Sequence, residues 1–140
     1  MLPAVSVVIP VYDRQLAGTV ALRSVLGQAD VPLEVIVVDD GSPESFVLPG
    51  DLVGDSRVRI VRQANAGAAA ARNRGVREAG GVWIAFLDSD DVWRPGKLAA
   101  QLGCALAGRA AGQPPLTCVM TGFEQIETAT GARKLRLPVE

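Results

Sequence analysis

The stretch Ile84-Ala85-Phe86-Leu87-Asp88-Ser89-Asp90-Asp91 joins four apolar residues to three carboxylates. The apolar run follows Gly80-Gly81, and its continuity predicts a strand that is buried on both faces. The acids fall where this strand leaves the sheet, and ligands bind at that carboxyl edge in open α/β sheets. Like charges about 4 Å apart repel by roughly 4 kcal/mol at an effective dielectric near 20. A divalent cation would relieve the repulsion; the alternative interpretation is a solvated acidic turn that caps the next helix.

Length and composition exclude several classes of protein. The 140 residues predict one domain over residues 1–140, and 49% of them are hydrophobic, which suits a buried parallel sheet. The net charge of -1, with the basic residues scattered, predicts neither a nucleic-acid partner nor a basic membrane patch. No run approaches the roughly 20 apolar residues of a membrane span, and the N-terminus does not resemble a signal peptide.

Histidine is absent from the chain. Its absence excludes a histidine general base, a Ser-His-Asp or Cys-His nucleophile and a histidine-ligated zinc within these residues. Cys104 and Cys118 are too far apart for a C-x-x-C motif, so we expect buried free thiols in a reducing compartment. We accordingly expect a cytoplasmic protein, with a peripheral position at the inner face of the membrane as an alternative.

Apolar runs alternate with helical patterns along most of the chain. Strands are predicted at residues 5–9, 33–38, 58–61, 82–87 and 116–120, and helices at residues 16–28, at 68–79 and from Pro95 onward. Pro10 is expected to end the first strand, and Pro95 to take a first helical position. Residues 43–54 predict a short helix or loop, and residues 123–137 a hairpin. The alternation predicts an α/β fold with a mostly parallel sheet.

Three predicted loops meet at the carboxyl edge of this sheet: residues 10–14, 39–42 and 88–91. Tyr12 could stack on a base, although a lone tyrosine is more often simply half-buried. One carboxylate of Asp39-Asp40-Gly41-Ser42 could bond a nucleobase or ribose; otherwise this segment caps a helix. Four residues near the start of the alanine-rich helix could face an anion in the same crevice, namely Asn65, Gly67, Arg72 and Asn73.

Glycine-rich phosphate motifs are missing from the sequence. No G-x-G-x-x-G follows the first strand, and no G-x-x-x-x-G-K-[ST] occurs anywhere. A bound diphosphate would therefore need a metal to neutralise it. The residues that could hold that metal are Asp88 and Asp90.

Five motifs occur in order over roughly residues 4–125: Val5 to Tyr12, Glu34 to Ser42, Asn65-Ala66-Gly67, Ala71 to Gly75, and Ile84 to Asp91 followed by Trp93, Pro95, Gly96 and Leu98. This set resembles the nucleotide-sugar-binding half of an inverting family 2 glycosyltransferase of the GT-A type. The resemblance implies a Rossmann-like GT-A fold. It also implies direct displacement at the anomeric carbon of a nucleotide-diphosphate sugar, with transfer to a glycan or lipid-linked acceptor. UDP is the expected nucleotide, and dTDP and GDP are open alternatives.

The resemblance also implies roles for individual residues. Asp88-Ser89-Asp90 is similar to the family's D-x-D signature, in which Asp90 would bind the Mn²⁺ or Mg²⁺ that bridges the diphosphate. Asp88 would lie beside the ribose or sugar and complete the metal site, and Asp40 would hydrogen-bond the base. The donor-binding residues implied in this way are Pro10, Tyr12, Asp39, Asp40, Asn65, Gly67, Arg72, Asp88 and Ser89.

Two departures from the family pattern shape these expectations. Asp13 stands where asparagine is usual, and Glu140 closes the chain before an acceptor-binding half and its general-base carboxylate. Neither Glu124 nor Glu127 is assigned as that base. We therefore expect a truncated GT-A domain that binds a donor without robust transfer, and that self-associates through uncovered apolar strands.

Three other functions share some of these sequence features. A nucleotide-sugar-binding module that has lost catalysis shares every motif above. A response-regulator receiver would carry its acid pair after the first strand and a lysine after the fifth, and neither is found. A hydrolase with an aspartate nucleophile is disfavoured because its acidic motif also belongs to the first strand.

Overall fold

A computed structural model of the chain describes residues 4–112, 118–127 and 129–136. The chain divides into two compact units, residues 1–97 and residues 98–140. That residues 1–140 form a single domain stays a prediction.

The first unit is a parallel sheet with helical connections. Its elements in chain order are β1 (Val5–Val11), α1 (Gln15–Leu26), β2 (Leu33–Asp39), a 3₁₀ turn (Gly50–Leu52), β3 (Val58–Arg62), α2 (Ala68–Glu78) and β4 (Trp83–Phe86). The strand order is β3-β2-β1-β4, and all three pairings are parallel. The predicted α/β fold with a mostly parallel sheet is confirmed, and the 3₁₀ turn lies in the segment predicted as a short helix or loop.

The two long helices of this unit pack on opposite faces of the sheet, since neighbouring residues of a strand point to opposite sides. Val8 of β1 belongs to a buried cluster with Ala71 of α2. Val11, three positions later, lies on the other face against Gly18 of α1. Every residue of β1 is buried, as the continuous apolar run predicts for a central parallel strand.

The prediction that Pro10 ends the first strand is wrong. β1 continues to Val11, and Pro10 lies opposite Val38 of β2. Val8 accepts a hydrogen bond from Leu87 (3.1 Å), whereas Val11 accepts one from Asp40 (2.9 Å), so even-numbered residues of β1 face β4. The β1–β4 pairing ends at Val8. Pro10 therefore points toward β4 just past the end of that ladder, where its missing N–H breaks no bond.

Two other predictions in the first unit need correction. β4 is not buried on both faces: Ile84 and Phe86 are exposed, because β4 lies at the edge of the sheet. The helix predicted at residues 16–28 rests on an apolar stripe of Leu16, Val20, Leu22, Val25 and Leu26. Leu16 and Val20 of this stripe are exposed, whereas Leu22 and Val25 are buried in α1 together with Gly18 and Ala21.

Pro95 does not open the next helix. Lys97 N–H donates to the Arg94 carbonyl (3.3 Å) and Gly96 has a φ of 78°, so residues 94–97 form a turn with glycine where a positive φ is required. The helix α3 begins at Lys97 and runs to Ala110.

The second unit contains the rest of α3 and an antiparallel hairpin of β5 (Phe123–Ile126) and β6 (Arg133–Arg136). The hairpin is confirmed, apart from Thr128 and Leu137, which lie outside the described residues. Residues 118–120 are not a strand, and residues 116–117 of that predicted strand also lie outside the described residues. The cysteine prediction is wrong, because Cys104 and Cys118 are both exposed. On α3, Ala105 is buried but Leu106 is exposed.

Among the helices in the described part of the chain, none combines the length and the apolar content that crossing a membrane requires.

Candidate functional site

A cavity of about 300 Å³ opens at the carboxyl edge of the parallel sheet. β2 and β4 flank β1 on opposite sides in the sheet, so the strand order reverses at β1. Doubly wound sheets bind ligands at the carboxyl edge of such a switch point. The ends of β1, β2 and β4 and the start of α2 all contribute to its wall. The lining residues are Pro10, Val11, Tyr12, Arg14, Asp40, Ala68, Arg72, Asp88, Ser89 and Asp90.

Two arginine–aspartate pairs lie in the cavity wall. Arg72 of α2 donates to Asp88, and Arg14, in the loop before α1, donates to Asp90. The hydrogen bond and charge of Arg14 hold the pKa of Asp90 below its usual range, against a smaller opposing effect of burial. Asp90 is therefore a carboxylate at neutral pH and can act as a ligand.

Asp91 differs from the two acids before it. It is absent from the cavity wall, and its N–H donates to the Asp88 carbonyl (3.0 Å), which closes the turn after β4. Loss of hydration, and then the negative charges of Asp90 and Asp88, raise the pKa of Asp91. The repulsion expected from the sequence is thus present and acts on Asp91, whereas the arginines of the cavity wall pair with Asp90 and Asp88.

Asp40 is a buried acid that organises the loop before α2. One of its oxygens accepts hydrogen bonds from the Gln63 side chain (2.7 Å) and the Ala66 N–H (2.9 Å), and the other accepts one from the Gly67 N–H (2.8 Å). A carboxylate offers about four acceptor positions, so one remains for a ligand in the cavity.

Substituting Asp40 tests this organising role. In Asp40→Asn an amide N–H₂ must replace one acceptor oxygen, so at least one loop amide loses its partner. We expect hydrogen exchange at Ala66 and Gly67 to accelerate about tenfold or more, measured by NMR. Asp55→Asn, which changes an aspartate in the turn before β3, should leave both amides unchanged. Equal protection of the Ala66 and Gly67 amides from hydrogen exchange in the wild type and in Asp40→Asn would contradict the organising role of Asp40.

Asp39, the neighbouring acid, lies beneath the site and outside its wall. It is 1% exposed and accepts hydrogen bonds from Ser42 N–H (2.9 Å), Phe46 N–H (3.0 Å) and Arg62 (2.6 Å). Burial works to raise the pKa of Asp39, but the hydrogen bonds from Ser42 and Phe46 and the charge of Arg62 prevail and lower it. Asp39 therefore fixes the loop after β2 rather than facing a ligand.

Seven of the residues proposed from the sequence are brought together in the wall: Pro10, Tyr12, Asp40, Arg72, Asp88, Ser89 and Asp90. Asp39, Asn65 and Gly67 do not line it. The Gly67 N–H donates a hydrogen bond to Asp40. Asn65 packs against Gly41, where a Cβ would lie 2.6 Å from the backbone nitrogen of Asn65. Sequence reasoning missed Arg14, although a cation directly after Tyr12 and Asp13 in a carboxyl-edge loop was a usable signal.

The wall suits a divalent cation that arrives with other ligands. Within the described ranges, no group of three or more carboxylate, thiol or imidazole side chains could enclose a metal. Asp88 and Asp90 nevertheless offer hard oxygen donors to one cavity. Mg²⁺ characteristically binds through one or two carboxylates and takes its remaining ligands from water and substrate phosphates, so these residues fit such an ion.

Known proteins share this architecture. The model of glycosyl transferase family 2 matches residues 6–134. A UDP-Glc:alpha-D-GlcNAc-diphosphoundecaprenol beta-1,3-glucosyltransferase from Escherichia coli is 37% identical over 103 residues, which are 73% of this chain and 41% of that protein. An uncharacterized glycosyltransferase from Rickettsia felis is 43% identical over 99 residues, which are 70% of this chain and only 16% of that protein.

Solved structures with the same fold contain nucleotides. S. aureus TarS in complex with UDP-GlcNAc aligns with a TM-score of 0.64 and 25% identity, over 75% of this chain and 32% of that one. A mannosyltransferase from Pyrobaculum calidifontis in complex with GDP-Man and Mn²⁺ aligns with a TM-score of 0.61 and 27% identity, over 73% and 32%. These neighbours are GT-A glycosyltransferases, so the expected fold is confirmed. Since the family match spans nearly all of the sequence and every residue of the cavity, this chain belongs to glycosyltransferase family 2.

Proposed function

We propose that this chain is the donor-binding part of an inverting glycosyltransferase, which binds a UDP-sugar together with Mn²⁺ or Mg²⁺ at Asp88-Ser89-Asp90. The observation that carries the proposal is the common wall: Asp88 and Asp90 line the same cavity as Tyr12 and Asp40. Nucleotides in two structural neighbours, and Mn²⁺ in one of them, support the choice of ligands.

The wall offers a separate group to each part of such a donor. Tyr12, about half exposed, presents its ring to a base, and Pro10 lies beside it. The unused acceptor position of Asp40 suits the imide N–H of uracil. Arg14 and Arg72 provide guanidinium groups, which bind phosphate oxygens well. Ser89 is buried in the wall and offers a hydroxyl beside the two acids.

The proposed reaction is direct displacement at the anomeric carbon with inversion. A bound divalent metal would stabilise the charge that develops on the leaving diphosphate. Asp88 and Asp90 would hold that metal, while the two arginines orient the phosphates and lie where negative charge grows. The acceptor is a glycan or a lipid-linked sugar, as the name of the E. coli relative suggests. None of the described residues is assigned as the general base.

Removal of the metal tests the proposal. Titration calorimetry of the 140-residue chain with UDP should give an affinity at least about tenfold higher with Mn²⁺ than with excess EDTA, because the ion offsets the diphosphate charge beside two acids. Asp90→Asn should abolish this difference. The matched control is Asp51→Asn, which removes an exposed, arginine-paired aspartate outside the cavity. Equal UDP affinity with and without Mn²⁺ would contradict the metal site.

Catalysis, association and location are tested separately. UDP binding that depends on Mn²⁺ but brings no transfer to any acceptor would favour the binding module without catalysis. Self-association is measured by analytical ultracentrifugation, in which a monomer at high concentration would contradict it. The cytoplasmic location is checked by fractionating the cells that produce the protein.

A further inference from the structure

We propose that Arg14 occupies Asp90 when the cavity is empty and transfers to the diphosphate when a donor binds, so that the metal and the diphosphate bind cooperatively. The inference rests on the proposed function, because it concerns the same metal and the same phosphates. It assigns Arg14 a role as a positioning residue that the sequence motifs do not contain.

Arg14 already occupies the carboxylate that is proposed to bind the metal. Arg14 donates to an oxygen of Asp90, the residue proposed to bind the metal, and both side chains line one cavity. While the guanidinium holds that oxygen, its positive charge opposes the approach of a second cation to the Asp90 carboxylate. Asp90 is 59% exposed and Arg14 is 50% exposed, and exposed ion pairs of this kind are weak. A ligand that offers the guanidinium a better partner can therefore release Asp90.

The positive and negative charges in the cavity wall balance one another. Arg14 and Arg72 neutralise Asp90 and Asp88 pair by pair. A divalent cation entering alone would face the displaced guanidinium, and a diphosphate entering alone would face two carboxylates. When the cation and the diphosphate bind together, their opposite charges offset each other. The Arg14 guanidinium can then bind phosphate oxygens, which are among its preferred partners. Each ligand should therefore tighten the binding of the other, by the same factor in both directions.

The position of Arg14 suits such a transfer. Its backbone is fixed, because the Arg14 carbonyl accepts a hydrogen bond from Gly18 N–H (2.9 Å) at the start of α1. The side chain leaves this anchor over several rotatable bonds and lies half in solvent, so it can exchange partners without moving the fold. Tyr12, two residues earlier, lines the same wall, so Arg14 shares one cavity with the proposed base-binding residue and the proposed metal ligands.

The experiment measures Mn²⁺ affinity without any turnover. The electron paramagnetic resonance signal of free Mn²⁺ is titrated with the 140-residue chain, alone and with saturating UDP. In the wild type, UDP should tighten Mn²⁺ binding. In Arg14→Gln, Mn²⁺ alone should bind about three- to tenfold tighter than in the wild type, because the competing guanidinium is gone, and the tightening by UDP should shrink by a similar factor.

Two further variants keep the test specific. Arg14→Lys retains the charge and should keep most of the UDP-dependent tightening. Arg23→Gln removes a matched arginine from an exposed pair with Asp51 outside the cavity, and should behave as the wild type. Mn²⁺ binding whose tightening by UDP is unchanged in Arg14→Gln would overturn this inference alone. Absence of Mn²⁺ binding in both proteins, with or without UDP, would overturn the proposed function as well.

Discussion

Replacing Gly75 by alanine is expected to lower the free energy of unfolding by about 3 kcal/mol. Gly75 faces β1 from the middle of α2, and a Cβ there would lie 2.2 Å from one Val8 methyl carbon and 2.8 Å from the other. Val8 is fully buried in the central strand and has no room to retreat. The gain in helix propensity, at most about 1 kcal/mol, is smaller than this cost.

Urea denaturation followed by circular dichroism measures the effect. Gly103→Ala is the matched control, because a Cβ at that helical position meets nothing within 4 Å and should raise stability by about 0.5–1 kcal/mol. Adding Val8→Ala to Gly75→Ala should restore part of the loss that Gly75→Ala causes, since it removes the two methyl groups that clash. A Gly75→Ala protein as stable as the wild type would contradict the close packing of α2 on β1.

Replacing Asp39 by asparagine is expected to cost about 3 kcal/mol at pH 7. The substitution removes a buried carboxylate that accepts from two backbone amides, and it leaves Arg62 without its charged partner. An asparagine amide would also turn an N–H₂ group toward one of these donors. The loop between β2 and the 3₁₀ turn should loosen as a result.

The effect of Asp39→Asn should depend on pH with a definite sign. Folding lowers the pKa of Asp39, so its stabilisation is complete above the unfolded value near 3.9 and is lost as pH falls through the folded value. The difference in unfolding free energy between wild type and Asp39→Asn should therefore narrow below about pH 4. Denaturation series at pH 7 and pH 3 measure it, with exposed Asp30→Asn as control. A difference that widens in acid would contradict this assignment.

The sequence predicted the parallel sheet because its strands are continuous apolar runs bounded by proline, glycine and aspartate. It could not predict which strand lies at the edge, since strand order depends on contacts between distant residues. The exposed face of β4 follows from that order. Pro10 was misplaced for a related reason: a proline breaks a ladder only where a neighbouring strand is present to accept the bond.

The acids of the site were found from local sequence, but their partners were not. Asp88 and Asp90 follow a strand, and parallel topology alone takes them to the carboxyl edge. Their arginines come from residues 16 and 76 positions away, and no periodicity relates such pairs. Asp39 and Asp40 are adjacent and chemically identical. Only the directions of their side chains distinguish Asp40, which lines the cavity, from Asp39, which binds the Ser42 N–H.

That adjacent pair at the end of β2 also restricts how the sequence can change. The two aspartates point to opposite sides of the strand, so one anchors Ser42 and Phe46 while the other faces the cavity. Inserting or deleting one residue in β2 would turn each aspartate to the opposite side of the strand and disable both at once, while the composition of the strand stayed almost the same. Close packing thus limits the size of the apolar residues before Asp39, and the two aspartates in addition fix their number.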